Sequence, residues 1–157
     1  MKSPKTKPPY KNGFTLVEIM IVVVIIGILA AMAGVAFTHT RNRAIATRVA
    51  NDLRIFADAF QTYAFENGSY PPDVGPATIP SGLEEYLNTN IFTSTTPAGG
   101  NYDWDEGVFG ITAAVSLQSP TVGQDVLEEI DKIVDDGNLN TGLVRSRSNG
   151  LLYIIEG

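Results

Sequence analysis

The sequence predicts an α+β chain: one long N-terminal α-helix, half of it transmembrane, packed on a small antiparallel β-sheet head. Residues 19–40 form a single apolar run without a formal charge. No proline interrupts the chain between Pro9 and Pro71, so nothing in the backbone forces a helix to stop there. Beyond Pro71 the sequence breaks into short alternating or amphipathic runs separated by Gly, Pro and Asn, the pattern of a small mixed domain.

The run Ile19–Thr40, IMIVVVIIGILAAMAGVAFTHT, has 22 residues, and His39 is its only titratable group. As a helix it is about 33 Å long, enough for a hydrocarbon core of ~30 Å. Four lysines (Lys2, Lys5, Lys7 and Lys11) and no acid precede it in residues 1–13. The positive-inside rule holds that end in the cytoplasm and puts the other end across the membrane.

Past Arg41 the pattern turns amphipathic, with Ile45, Val49, Leu53, Phe56, Phe60 and Tyr63 spaced by three or four residues. One helix is therefore expected from about Phe14 to about Glu66, roughly 80 Å long. Asn67-Gly68 and Tyr70-Pro71-Pro72 stop it.

In the head, Ser81-Gly82-Leu83-Glu84 is an S-x-x-E capping box that predicts a short helix through Leu87. Strands are expected at Asn101–Asp105 and Val108–Leu117, followed by an amphipathic helix over Val122–Val134. Leu143–Arg147 and Leu151–Ile155 flank Asn149-Gly150, the dipeptide expected to form a two-residue hairpin turn.

Charge and composition restrict function. The 157 residues carry 11 basic and 17 acidic side chains, a net of −6. Beyond residue 54 only Lys132, Arg145 and Arg147 face fifteen acids. Such a surface repels phosphate backbones, so no nucleic-acid partner is expected. The absence of cysteine excludes disulfides, thiol nucleophiles and thiolate metal sites, and a lone histidine makes a triad-type hydrolase improbable. No catalytic residue, metal site or cofactor is expected.

Three kinds of N-terminus fit the basic-then-apolar pattern. A plain anchor would leave the chain uncut. A secretory signal would be cut at the A-x-A site Ala31-Met32-Ala33, before Gly34. Two features oppose that cut: Glu18 lies inside the apolar segment, and Val35, Ala36 and Phe37 continue it past the site.

The third kind is carried by Lys11-Asn12-Gly13-Phe14-Thr15-Leu16-Val17-Glu18. This junction resembles the class III signal of type IV prepilins and type II secretion pseudopilins. Those families have a basic leader ending in Gly, then Phe, then Glu at the fifth mature position. The resemblance implies that residues 1–13 are a leader removed after Gly13 by a prepilin peptidase, with Phe14 then N-methylated. It implies residues 14–40 as the membrane and assembly half of the helix, 41–67 as its amphipathic half, and 68–157 as a periplasmic head. The chain would be a filament subunit of the inner membrane, its N-terminus cytoplasmic. Its partners would be copies of itself and related pilins, the peptidase and N-methyltransferase, an inner-membrane assembly platform, and lipid before assembly. Phe65-Glu66-Asn67-Gly68-Ser69-Tyr70-Pro71 is similar to the helix end of major pseudopilins, which favours that branch over surface pilins.

The chemistry of Glu18 agrees with that resemblance. A carboxylate within a membrane segment is costly and functional by default, and no other mature-segment charge precedes Arg41. Cleavage at Gly13 creates a cation, the α-amine of Phe14, which would pair with Glu18 and assign it to assembly. Related pilins often carry a Pro near the twenty-second mature position, where this chain has Val35 after Gly34.

Three further groups of residues have unremarkable explanations. Arg41, Arg43, Arg48 and Arg54 read as a solvated helix face that pairs with acidic heads of neighbours. Asp135-Asp136-Gly137-Asn138-Leu139-Asn140 reads as a turn rather than a calcium loop, because it lacks EF-hand spacing. Asp103, Asp105 and Glu106 read as solubilising charges on a strand edge.

Overall fold

A computed structural model describes residues 13–157, except for the side chains of residues 33–36. The leader expected over residues 1–12 lies outside the described residues. The chain divides into two compact units, one ending at His39 and the other formed by Thr40–Gly157. Helix α1 (Leu16–Asn67) has 52 residues. The other elements are α2 (Thr89–Thr93), β1 (Asn101–Glu106), β2 (Ala113–Gln118), α3 (Gln124–Val134), β3 (Val144–Arg147) and β4 (Gly150–Glu156).

In the N-terminal unit, Leu16, Val17, Ile19 and every large apolar residue onward to Leu29 are exposed on all sides of α1. A helix apolar around its whole circumference is stable only in lipid or among other apolar helices. Its length and composition are sufficient to cross a membrane.

In the second unit, residues 46–60 of α1 place Ala46, Val49, Ala50, Leu53, Phe56 and Phe60 in the core. The four strands run in the order β1-β2-β4-β3, and each neighbouring pair is antiparallel. Tyr102 faces Leu117, Trp104 faces Val115, and Leu117 faces Leu151 across the ladders. Strand alternation therefore gathers one apolar face, and all five of these side chains are buried. Aromatic rings fill the seam. Trp104 stacks on Phe60 with centroids 3.7 Å apart and planes 4° from parallel, and Phe56 meets Phe92 and Tyr102 edge-on. The Trp104 indole N–H donates to the Pro71 carbonyl at 2.9 Å, so the loop after α1 is tied to the sheet.

Four expectations need correction. No helix opens at Ser81, because Gly82 has φ +92°, outside helical dihedrals at the position where the first turn would form. Residues 81–87 make turns, and the short helix is α2, capped by the Asn88 side chain. The second strand begins at Ala113 rather than Val108, since Phe109 and Gly110 both take positive φ and build the β1–β2 turn. The last hairpin turns through Ser148-Asn149, because Arg147 pairs with Gly150 and Gly150 belongs to β4. Asp103 and Asp105 are not solvated edge charges: they are 5% and 4% exposed. The Ala77 N–H donates to the Tyr102 carbonyl at 2.8 Å, so the preceding loop covers part of β1's free edge.

Candidate assembly site

Gly13, Phe14 and Thr15 precede the first turn of α1 in non-helical backbone. The Gly13–Phe14 peptide bond is therefore outside the helical hydrogen-bond ladder. Phe14 is 84% exposed. Among the described residues, a Cβ added to Gly13 would meet nothing within 4 Å.

Thr15 and Glu18 form a reciprocal cap. The Glu18 carboxylate accepts from the Thr15 N–H at 2.7 Å and from its hydroxyl at 2.8 Å. The Glu18 N–H donates back to the Thr15 hydroxyl at 3.3 Å. This is the capping box T-x-x-E followed by an apolar run. It satisfies donors that a helix start leaves orphaned, and carboxylates are favoured at that end of the helix dipole. The box lies wholly on the mature side of the Gly13–Phe14 bond, so cleavage there would leave it intact. The same sequence signature stands at Thr15 as at Ser81, and here a helix follows. Sequence reasoning found Glu18 through its cost in the membrane and missed Thr15, its partner within the chain.

The four arginines are not one uniform face. Arg43 pairs with Glu129 of α3 at 3.8 Å, and the Arg54 guanidinium donates to the Ile133 carbonyl. Asn42 donates to the Asp125 carboxylate at 3.0 Å. Among the described residues, Arg41 and Arg48 have neither hydrogen bond nor ion pair, and each borders an open cleft.

Two acidic clusters occupy the rest of the second unit. On the sheet face away from α1, Arg147 reaches across Gly150 to Ser116 at 2.8 Å and to Asp105 at 3.3 Å. Phe109 lies over its guanidinium, 4.5 Å from ring centroid to Cζ. Of the two buried carboxylates of β1, this arginine pairs with Asp105, while Asp103 accepts from the Gln118 amide at 3.1 Å. Asp103 keeps one oxygen without a partner. Burial first, then the neighbouring charges of Asp105 and Asp73, pushes its carboxyl up to about 7. Burial also raises Asp105, against the opposing pull of Ser116 and Arg147.

Near the C-terminal end of α3, Asp131, Asp135 and Asp136 bring carboxylate oxygens within 4.8 Å of one another, close enough to share a hard cation. Two of the three already serve the loop: Asp135 accepts from the Leu143 N–H, and Asp136 accepts from the Asn138 N–H and the Thr141 hydroxyl. Those contacts are the turn expected of this segment. Trp104, fully buried against Phe60, is part of the core and is not available to a ligand.

Comparisons with known proteins agree with this geometry. The family model of the prokaryotic N-terminal methylation motif matches residues 9–34. The type II secretion system core protein G of Pseudomonas aeruginosa is 41% identical over 39% of this chain and 43% of its own length. Its Klebsiella pneumoniae counterpart is 32% identical over 59% of each chain. This chain therefore spans about half the length of these relatives. Fimbrial protein Q of Moraxella bovis is 29% identical over 77% of this chain and 80% of its own length. The solved structure of the major type IV pilin PilA1 from Clostridium difficile covers 74% of this chain and 97% of its own, with a TM-score of 0.53 and 19% identity. That likeness is one of fold. With its methylation motif over residues 9–34, its capped apolar helix and a pilin-type fold, the chain resembles the type IV prepilins and type II secretion pseudopilins in its N-terminal region and in its fold.

Proposed function

We propose that this protein is a structural subunit, not an enzyme, of a type IV pilus-like filament, and specifically a pseudopilin of a type II secretion system. The observation that carries this reading is the N-terminal junction. A glycine that no contact among the described residues requires precedes an exposed Phe14, a capped Glu18 and a helix apolar on every side. In the membrane, lipid covers that helix. In a filament, the corresponding helices of other subunits would cover it instead. The four lysines of the leader hold the N-terminus in the cytoplasm and oppose extraction from the bilayer. A prepilin peptidase would remove them, and methylation of Phe14 would leave its amine basic. That amine then supplies the cation that pairs with Glu18 as the subunit joins the filament on its assembly platform.

A surface pilin is the second reading, favoured by the match to fimbrial protein Q over most of both chains. Both readings require cleavage after Gly13. A Gly13→Leu variant in the native host is expected to insert in the inner membrane at full precursor mass and to form no filaments. Normal filaments from uncut Gly13→Leu protein would refute the proposal.

A further inference from the structure

The basic residues of α1 in the second unit are gathered over residues 41–54. Arg41, Arg43, Arg48 and Arg54 lie between the middle of α1 (Leu16–Asn67) and its last turns, and no basic residue occurs from residue 55 to residue 131. Intramolecular partners account for Arg43 and Arg54, whereas the side chains of Arg41 and Arg48 make no ion pair or hydrogen bond among the described residues. Arg48 borders a cleft of about 310 Å³ whose wall also includes Asn90, Ser94, Thr95, Thr96 and Asp52, whose carboxylate accepts from the Tyr102 hydroxyl at 2.9 Å. Arg41 borders one of about 240 Å³ beside Thr121 and Gly123. A guanidinium without an ion pair, beside hydroxyls and amides, can receive a carboxylate.

Carboxylates of the right kind stand at the opposite end. Glu84 and Glu85 are exposed on the turn that packs against the last turns of α1. The Gly82 Cβ position lies 3.2 Å from the Tyr63 ring, and the Tyr86 hydroxyl donates to Glu66 at 2.5 Å. Glu84 accepts only the nearby Gly82 N–H, and Glu85 has no hydrogen bond or ion pair among the described residues. Counting residues along α1, about 30 Å separates this acidic turn from Arg41 and Arg48. The two groups therefore cannot meet within one copy.

We propose that Glu84 and Glu85 of one copy dock onto Arg41 and Arg48 of a second, parallel copy displaced by about 30 Å along the helix axis. This inference rests on the filament reading and specifies its head-to-head contact. A parallel, displaced contact leaves one acidic turn and one basic face unused at the two ends and so propagates into a multimer, whereas an antiparallel pair uses both contacts and closes as a dimer.

The chain has no native cysteine, so pairs introduced by mutation report without background. Full-length Arg48→Cys/Glu85→Cys protein, treated in its native membrane with a short bismaleimide, should give a ladder of multimers. The intramolecular distance is too long for that reagent to bridge. Arg48→Glu should lower filament yield roughly tenfold, and combining it with Glu85→Arg should restore most of the loss. Intact filaments without a ladder, together with full yield from Arg48→Glu, would overturn the proposal. So would a yield loss that Glu85→Arg does not rescue while binding to phosphatidylglycerol vesicles is lost, because Arg48 would then serve anionic lipid. Filament formation and processing of the parent chain are scored first. Failure there overturns the filament reading and this contact with it; failure of the variants alone overturns only the contact.

Discussion

Asp103 makes the head less stable as pH rises toward neutrality, opposite to the behaviour of a salt-bridged carboxylate. It sits on β1 with its neighbour Asp105, and Arg147 serves Asp105 rather than Asp103. Its carboxyl titrates near 7 in the folded chain, against ~3.9 in an unfolded one. The folded state therefore binds the proton more tightly, and the contribution is complete below about pH 4. Stability declines as pH rises and levels off above about pH 7. About three pH units at 1.36 kcal/mol each give an upper bound of about 4 kcal/mol. Sharing of charge with Asp105 and residual solvation bring the expected loss to about 2 kcal/mol.

The chain has one tryptophan, Trp104, and it is fully buried in the head. Its fluorescence during guanidinium unfolding of the full chain in detergent therefore reports head stability. Asp103→Asn retains an acceptor for Gln118, which now donates to Asp103 at 3.1 Å, and removes the titration. The difference between variant and parent should be near zero at pH 4 and favour the variant by about 2 kcal/mol at pH 7. A difference that does not change with pH, or one that favours the parent at pH 7, would refute the reasoning. Comparing variant with parent also cancels the general effect of the chain's acidic charge.

Three further outcomes follow from named contacts. Gly150→Ala places a Cβ 1.9 Å from the Leu117 carbonyl oxygen, so it should cost about 2 kcal/mol or more in the same unfolding assay. Phe60→Ala removes the ring stacked on Trp104 and should cost about 3–5 kcal/mol while shifting the tryptophan emission to the red. Glu18→Ala removes the acceptor that holds Thr15 without touching Gly13. Mass spectrometry should show normal cleavage, and filament recovery should fall sharply. Normal recovery would count against pairing of Glu18 with the Phe14 amine.

Helical and turn signals in the sequence were informative where local chemistry decides the structure. The long helix was legible because no proline interrupts it and because apolar spacing persists from Ile45 to Tyr63. Its start at Thr15 was equally legible in T-x-x-E, although attention to the membrane cost of Glu18 hid it. The same motif misled at Ser81, since Gly82 takes a backbone conformation that its own neighbourhood selects and the motif does not encode. The β1–β2 turn was misplaced because Val108, Phe109 and Ile111 look like strand residues, while Phe109 is held by stacking on Arg147. The burial of Asp103 and Asp105 was invisible for a related reason. It depends on Arg147 crossing Gly150 from a strand more than forty positions away, and local sequence does not report which strands become neighbours. The asymmetry between paired Arg43 and free Arg48 likewise exists only once α3 is packed.

The central claim is that the chain is a prepilin processed at Gly13. Intact-mass and N-terminal peptide mass spectrometry of the protein from its native membrane tests it most directly. The account predicts a mature chain beginning at Phe14 and heavier by one methyl group. A chain retaining Met1, or one beginning at Gly34, would contradict it.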